Sequence, residues 1–307
     1  MIKNILYHHF RPKTVNIIVL LNLLLCSSFY GQETSNYGAP SWSPDGNQFA
    51  YILESNDKSD LYVFDLKTKS NVQITTTDKP EYTPSWSPDG KKIAFTTGEP
   101  GDIEVYVYNV ETKVIKKITN YDVDSVTPSW LPDSQSIVYS QFNKPTKSRR
   151  VFITDLNGKT NNELVIDSSM NYVYPRIASN GIELLFAAKS KLKKDKFHVS
   201  IFNMNNKKII PIENLEVVSY NPSWSSDGKK IIFVNQATKD INSSSIYLVN
   251  KDGSNLKKII ECEGGCFQPR FSPNGKQIIY KNGWVKNHKG IYLFNLKKKT
   301  TTKLIGI

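Results

Sequence analysis

Short runs of consecutive apolar residues recur along the chain, separated by clusters of Pro, Asp, Asn and Gly. A β-strand with one solvent-exposed face alternates apolar and polar residues, but these runs are apolar at successive positions. Both faces of the strands must therefore be covered by protein. The clearest of these runs occupy residues 61–64, 105–108, 151–153, 199–202, 246–249 and 291–294.

A seven-residue motif precedes each group of apolar runs, and its first two copies, 40–46 and 84–90, both read Pro-Ser-Trp-Ser-Pro-Asp-Gly. Six copies at a period of 44 to 47 residues indicate a repeat architecture in which every repeat forms one small sheet. Radial stacking of such sheets covers both of their faces. We therefore predict an all-β, six-bladed β-propeller of four-stranded antiparallel blades. The blades are expected to start at about residues 37, 81, 125, 172, 219 and 266.

The motif itself predicts a turn and a packing position. Ser-Pro-Asp-Gly has the residue preferences of a type I turn, and Gly accepts the left-handed conformation that follows. The third copy has Ser134 in place of Gly, where retention of the turn would cost some strain. The Trp two residues after each leading Pro is expected in the core between blades, with Ile177 and Phe271 as its replacements.

The N-terminus carries the features of an export signal. Basic residues precede an apolar run at 17–25, which is far shorter than the roughly 20 residues of a membrane-spanning helix, and small residues follow it. We predict that residues 1–31 are a secretory signal peptide and that 32–307 form a propeller in the periplasm or outside the cell. The alternative is a lipid anchor at Cys26, which the large Leu25 before it disfavours.

The repeat resembles a known family. Residues 84–95, a Tyr-rich third strand and a closing Ile-Thr are similar to the WD40-like (PD40) repeat of TolB-like propellers, and the resemblance extends over 37–305. It implies a periplasmic location; the TolB propeller itself binds a peptidoglycan-associated lipoprotein. Only a few residues separate residue 31 from the first blade, too few for the α/β domain of TolB. We therefore expect the fold and compartment of that family rather than a Tol–Pal role.

The net charge of +12 is distributed unevenly. The segments between second and third strands are basic in the third and fourth blades, including Arg149 and Arg150, and acidic in the first two. Such asymmetry can orient a charged partner, although long lysine side chains more often simply solvate a loop. Since export makes nucleic acid an improbable ligand, we predict an envelope protein or peptide, with an acidic surface favoured, bound by a monomer.

Aromatic and acidic residues gather near the leading prolines, on connections that a propeller brings to one face. Tyrosine suits recognition because it is large, rigid and polar at its tip; packing near the axis is the equal alternative. The predicted partner-binding residues are Tyr37, Glu81, Tyr82, Asp122, Asp124, Tyr172, Tyr174, Tyr220 and Phe267.

Cysteine and histidine are scarce. Three cysteines exclude a four-cysteine zinc site, and two of them, Cys262 and Cys266, flank a glycine pair that would let a small disulfide loop close. A redox or metal role for this pair is the weaker alternative. Two of four histidines lie in the signal region, and no Gly-x-Ser-x-Gly elbow is present. We therefore predict a non-catalytic protein without a cofactor.

An enzymatic alternative depends on carboxylates in the channel. These side chains could bind Ca²⁺ or assist a lyase or hydrolase that acts on carbohydrate. The carboxylates concerned are Asp78, Glu81, Asp122 and Asp124.

Overall fold

The computed structural model describes residues 36–306, apart from 56–57, 165–166, 168, 192–195, 213–217, 237–243 and 284–287. The chain divides into two compact units, Met1–Gln32 and Glu33–Ile307. The predicted signal peptide and Cys26 lie outside the described residues. The described part of the second unit consists of six four-stranded antiparallel sheets and contains no helix.

Each sheet is made from four strands that follow one another in the chain, so the six-bladed propeller is confirmed. The first blade contains β1 (Asn36–Trp42), β2 (Gln48–Ser55), β3 (Lys58–Asp65) and β4 (Asn71–Gln73). The second contains β5 (Glu81–Trp86), β6 (Lys92–Thr97), β7 (Glu104–Asn109) and β8 (Ile115–Lys117). The third contains β9 (Ser125–Trp130), β10 (Ser136–Asn143), β11 (Ser148–Asp155) and β12 (Asn162–Glu163).

The other three blades repeat this order. The fourth contains β13 (Met170–Ile177), β14 (Glu183–Ser190), β15 (His198–Asn203) and β16 (Ile209–Pro211). The fifth contains β17 (Val218–Trp224), β18 (Lys230–Gln236), β19 (Ser244–Asn250) and β20 (Lys257–Glu261). The sixth contains β21 (Cys266–Phe271), β22 (Gln277–Asn282), β23 (Gly290–Asn295) and β24 (Thr300–Ile305).

The first strand of each blade is innermost. These six strands contact their neighbours in a closed circuit, β1–β5–β9–β13–β17–β21–β1. The fourth strands lie at the rim, and β4, β8 and β16 are exposed along their whole length. The second strands are mostly buried, because adjacent blades cover both of their faces. The consecutive apolar positions in the sequence follow from this double coverage.

The motif tryptophan packs against the preceding blade. Trp130 lies among Ala94, Val105 and Val107 of the second blade, and its indole nitrogen donates to the carbonyl oxygen of Ser85 at 2.8 Å. Ile177 occupies the same place against the third blade. These contacts confirm the predicted position of the motif tryptophan between blades.

The ring closes by packing rather than by a strand shared between its ends. Trp42 and Phe49 of the first blade pack with Ile279 and Ile291 of the sixth. The two terminal blades each contribute four strands in chain order, so neither borrows one from the other. The junction therefore uses the same tryptophan contact as the junctions inside the ring.

The predicted turns also link blades. The Gly46 N–H donates to the Ser43 carbonyl at 3.0 Å, and Gly46 has a φ of +73°. The third copy keeps the turn with Ser134 at a φ of +54°, as the sequence predicts. Its hydroxyl accepts a hydrogen bond from the Asp89 N–H at 3.0 Å, and this contact with the second blade offsets part of the strain.

Candidate functional site

Every first strand contains a bulge next to its leading proline. In β13, for example, pairing with β14 breaks between Val173 and Arg176, leaving Tyr174 and Pro175 opposite one residue. A proline has no N–H to donate, so inside a sheet it is confined to such breaks or to edges. The residue before each proline is left-handed, with φ between +45° and +58°. We call these six residues the bulge ring: Ala39, Thr83, Thr127, Tyr174, Asn221 and Gln268.

Left-handed backbone is uncommon for residues other than glycine and costs about 1–3 kcal/mol per residue. Such strain persists only where surrounding structure imposes it, and it concentrates at functional sites. Because all six bulges lie on the innermost strands, they encircle the propeller axis. The bulge ring thus holds side chains of five residue types, with threonine occurring twice, at one equivalent backbone position.

Side chains of the bulge ring make contacts between neighbouring blades. The Gln268 side-chain oxygen accepts a hydrogen bond from the Ala39 N–H at 2.6 Å, across the junction of sixth and first blades. Tyr174 forms a side-chain hydrogen bond with Asn221 of the fifth blade, and burial raises the pKa of its phenol. The ring is therefore partly cross-linked, with Tyr174 and Gln268 half-buried.

Five of the nine predicted partner-binding residues have little exposed surface, and four of the five are aromatic. Tyr172 is fully buried against Phe186, in the core of the fourth blade. The other three, which also pack within and between blades, are Tyr37, Tyr220 and Phe267. The aromatic residues near the prolines with more accessible surface are Tyr82 and Tyr174, both half-buried.

Glu81 lies inside the protein. Its carboxylate accepts hydrogen bonds from the Leu61 N–H at 2.8 Å, the Thr77 hydroxyl at 3.1 Å and the Thr75 hydroxyl. Burial raises its pKa to about 7, although these hydrogen bonds oppose the shift. The side chain thus fastens the end of the first blade to the start of the second, and it has no exposed surface to offer a ligand.

The structure brings Asp124 and Tyr174 to a buried arginine that sequence reasoning misplaced. The Arg149 Nη2 lies 3.2 Å from Asp124 Oδ2, and Arg149 also faces Tyr174. Burial lowers the pKa of Arg149, while Asp124 opposes this effect. The Arg149 Nη1 is buried without a hydrogen-bond partner. Asp122, by contrast, is exposed.

The charge asymmetry is also smaller than the sequence suggested. Arg149 and Arg150 lie in β11 and are buried, because β10 and β11 remain paired as far as Asn143 and Ser148. Arg150 lies 3.5 Å from Glu163 in its own blade. Lys144 and Lys147 are exposed at the turn, and Lys193 and Lys194 lie outside the described residues.

Two channel arginines were missed by sequence reasoning altogether. Arg176 and Arg270 follow the leading prolines of the fourth and sixth blades, where the other four blades have serine. Both are half-buried. The signal that could have identified them is the change from serine to arginine at a repeat position next to the axis.

Cys262, directly after β20, and Cys266, the first residue of β21, form a disulfide with their Cα atoms 5.5 Å apart. Within the described ranges, no three His, Cys, Asp or Glu side chains are grouped so that they could hold a metal ion. Nor does this part of the chain include a helix long and apolar enough to cross a membrane.

The geometry agrees with comparisons to known proteins. TolB from Acinetobacter baumannii aligns with a TM-score of 0.68 at 16% identity, over 92% of this chain and 66% of that one, so this chain spans about two thirds of its length. A putative TolB from Agrobacterium tumefaciens aligns with a TM-score of 0.67 at 19% identity, over 80% and 96%. An oligogalacturonate lyase from Vibrio parahaemolyticus gives 0.61 at 15% identity, over 90% and 79%.

At these identities the solved structures establish the fold alone. The family model PD40, TolB beta propeller domain, matches residues 2–217 of the sequence. That match covers more than half of the chain and includes the first four copies of the repeat. The chain belongs to the PD40 family of TolB β-propeller domains.

Proposed function

We propose that this protein is an exported, non-catalytic propeller that binds a protein or peptide of the cell envelope at the bulge ring. The observation that supports this proposal most directly is the ring itself. Six blades hold side chains of five residue types at one strained backbone position around a common axis. Such an arrangement varies the recognition surface while the scaffold stays constant, as is typical of binding sites placed on a rigid fold.

The chemistry of the ring favours binding over catalysis. Its described side chains are amides, hydroxyls and a phenol, which form hydrogen bonds but are weak acids and bases. Glu81 is nearby, and its pKa is strongly raised. Its carboxyl group already accepts hydrogen bonds from two hydroxyls and a backbone N–H. Asp124 forms an ion pair with Arg149. These contacts suit positioning rather than proton transfer to a substrate.

An extracytoplasmic location is supported by two features. A disulfide persists in the periplasm or outside the cell and is rare in the cytosol, which suits the Cys262–Cys266 pair. The N-terminal sequence, with basic residues before a short apolar run, is typical of an export signal. An envelope protein is the ligand class that fits both this compartment and the family.

Capture from an envelope extract tests the proposal, with the full chain immobilised. Tyr174→Ala and Asn221→Ala suit this test because the first blade already has alanine at this backbone position, so the bulge can be kept. We expect the double variant to retain at most a tenth of the protein bound by wild type. Ile210→Ala, on the exposed rim strand β16, is the control and should bind normally.

Equal capture by wild type and the double variant would contradict the proposal. Turnover of acidic oligosaccharides by the wild type, abolished by EDTA, would instead support the enzymatic alternative. The two outcomes are measured on the same preparation, so they separate the two classes of function.

A further inference from the structure

The repeat position after the leading proline differs sharply between blades. It is serine in four blades and arginine in the fourth and sixth. Arg176 lies on β13 and Arg270 on β21, both innermost strands. Two long cationic side chains therefore replace serine at equivalent places around one axis. The serines are Ser41, Ser85, Ser129 and Ser223.

Backbone carbonyls hold one nitrogen of each guanidinium. The Arg176 Nη1 donates to the carbonyl oxygens of Pro175 at 2.9 Å, Pro128 at 3.3 Å and Thr127 at 3.4 Å. The Arg270 Nη1 donates to the Pro269 carbonyl at 2.8 Å. These acceptors are neutral, and among the described residues none accepts a hydrogen bond from the other N–H groups of either side chain.

Neither arginine has an acidic partner among the residues that the structure describes. Burial lowers the pKa of Arg176 to about 10, and the nearby Tyr174 opposes this. Burial lowers the pKa of Arg270 well below its usual value, and the positive charge of Arg176 adds to the effect. The fourth and sixth blades are not neighbours, so the two charges influence each other across the axis.

Uncompensated cations in such a place are costly, since a buried charge is normally paired. Two further polar groups close to the pair also lack partners. Thr127 Oγ1 and Arg149 Nη1 are buried without a hydrogen bond, on the blade adjacent to Arg176. The Tyr174 phenol is close enough to Arg149 and Arg176 for the charges of both to lower its pKa, which burial raises. This part of the channel thus contains several hydrogen-bond donors and three cations, Arg149, Arg176 and Arg270. Asp124 is the counter-ion of Arg149 alone.

We propose that Arg176 and Arg270 form a carboxylate-binding site in the channel that receives an acidic residue or the C-terminal carboxylate of a peptide. A guanidinium matches the two oxygens of a carboxylate with two parallel hydrogen bonds, which an ammonium cannot do. A carboxylate between the two arginines neutralises their mutual repulsion. This inference rests on the proposed function, because it assigns the chemistry of the peptide that the bulge ring binds.

The test is calorimetry on the full chain with two probes, N-acetyl-triglutamate and N-acetyl-triglutamine. Arg176→Ser and Arg270→Ser install the residue that four blades already have at this position, so the blades can keep their fold. Their unfolding midpoints and circular dichroism are recorded first. Lys257→Ser, on the exposed rim strand β20, removes the same charge away from the channel and is the control.

We expect triglutamate to bind wild type and Lys257→Ser alike, and to bind each arginine variant at least tenfold more weakly. Triglutamine should bind none of them measurably. Equal affinity of triglutamate for wild type and both folded arginine variants would overturn the inference. Tighter, arginine-dependent binding of trigalacturonate would overturn the assignment to a peptide and favour an acidic sugar.

Capture from the envelope extract separates this inference from the proposed function. If the Arg176→Ser, Arg270→Ser double variant captures the same protein as wild type with equal yield, the carboxylate site is wrong and the binding function stands. If wild type captures nothing while triglutamate binds in an arginine-dependent way, the proposed function is wrong and the carboxylate site stands.

Discussion

The Gln268 side-chain oxygen accepts a hydrogen bond from the Ala39 backbone N–H at 2.6 Å, across 229 residues of sequence. This bond joins the innermost strand of the sixth blade to that of the first. It supplements the packing of Trp42 on the sixth blade, at the one junction that no covalent connection spans. The closure of the ring therefore depends on side chains that a single substitution can remove.

We predict that Gln268→Ala lowers the free energy of unfolding by about 1–2 kcal/mol, because the N–H of the buried Ala39 loses its acceptor. The substitution keeps the bulge, since alanine already occupies the equivalent position in the first blade. Urea unfolding monitored by tryptophan fluorescence measures the change. Thr83→Ala, which loses a 3.2 Å contact with Thr96 within its own blade, serves as the comparison. An unchanged urea midpoint for Gln268→Ala would show that packing alone closes the ring.

The disulfide gives a second prediction. It closes a loop between residues four positions apart, and loop-closure entropy for so short a loop corresponds to about 2 kcal/mol. We expect the double substitution Cys262→Ser and Cys266→Ser to lower the free energy of unfolding by about that amount. Cys266 is fully buried, so a hydroxyl there adds a small cost. Alkylation of wild type under denaturing conditions, with and without reductant, checks by mass that the bond forms.

Reduction offers the matched control for that pair. Wild type unfolded in the presence of reductant should approach the midpoint of the double serine variant, and the variant itself should not respond. If the reductant leaves the wild-type midpoint unchanged although alkylation shows both thiols free, the disulfide contributes nothing to stability.

The fold could be predicted from sequence because one motif recurs at equivalent positions. Five of the six copies supply a turn glycine and five supply a core aromatic residue, so six weak local signals support one another. The packing of Trp130 and Ile177 between blades followed directly from their places in the repeat. The leading proline inside each first strand is the signal for a bulge, but the left-handed backbone before it could not be predicted, since the side chains of Ala39, Tyr174 and Asn221 have nothing in common.

The candidate site was harder to predict for a physical reason. A residue near a strand end can face the axis, the next blade or the core of its own blade. A shift of one position along the strand reverses the face on which its side chain lies. Glu81 and Tyr172 were placed in the correct segments, yet both side chains are fully buried. Arg149 was expected in a loop, but the β10–β11 hairpin extends far enough to bury it. The direction of each side chain depends on how its strand pairs with the next, and this pairing is known only from the structure.

A third prediction concerns the cost of the channel arginines. Arg270 is half-buried, lacks a described carboxylate partner and is repelled by Arg176. We expect Arg270→Ser to raise the free energy of unfolding by about 1 kcal/mol, since it removes a poorly solvated charge and loses one bond, to Pro269. Thermal unfolding at neutral pH and low salt measures this. Lys257→Ser, fully in solvent at the rim, should change the midpoint little.

The same variants respond differently to ligand. A ligand that binds only the native state raises the unfolding midpoint in proportion to its affinity. Triglutamate should therefore stabilise wild type and Lys257→Ser but not Arg270→Ser. A lower midpoint for Arg270→Ser without ligand would show that the guanidinium contributes to the fold, contrary to this prediction.

The fourth prediction follows from the pKa of Glu81, which burial raises from 4.5 to about 7. The native state then holds a proton at pH values where the unfolded chain has released it. The stabilising contribution is fully present below pH 4.5 and is lost as pH rises through 7, for a total of about 3 kcal/mol. Glu81→Gln removes the ionisation, so the variant should gain stability relative to wild type as pH rises from 4.5 to 8. Urea unfolding of both proteins across this range measures the difference.

Glu99→Gln, at an exposed position, is the control and should show no such trend. A stability difference between wild type and Glu81→Gln that does not depend on pH would contradict the raised pKa of Glu81.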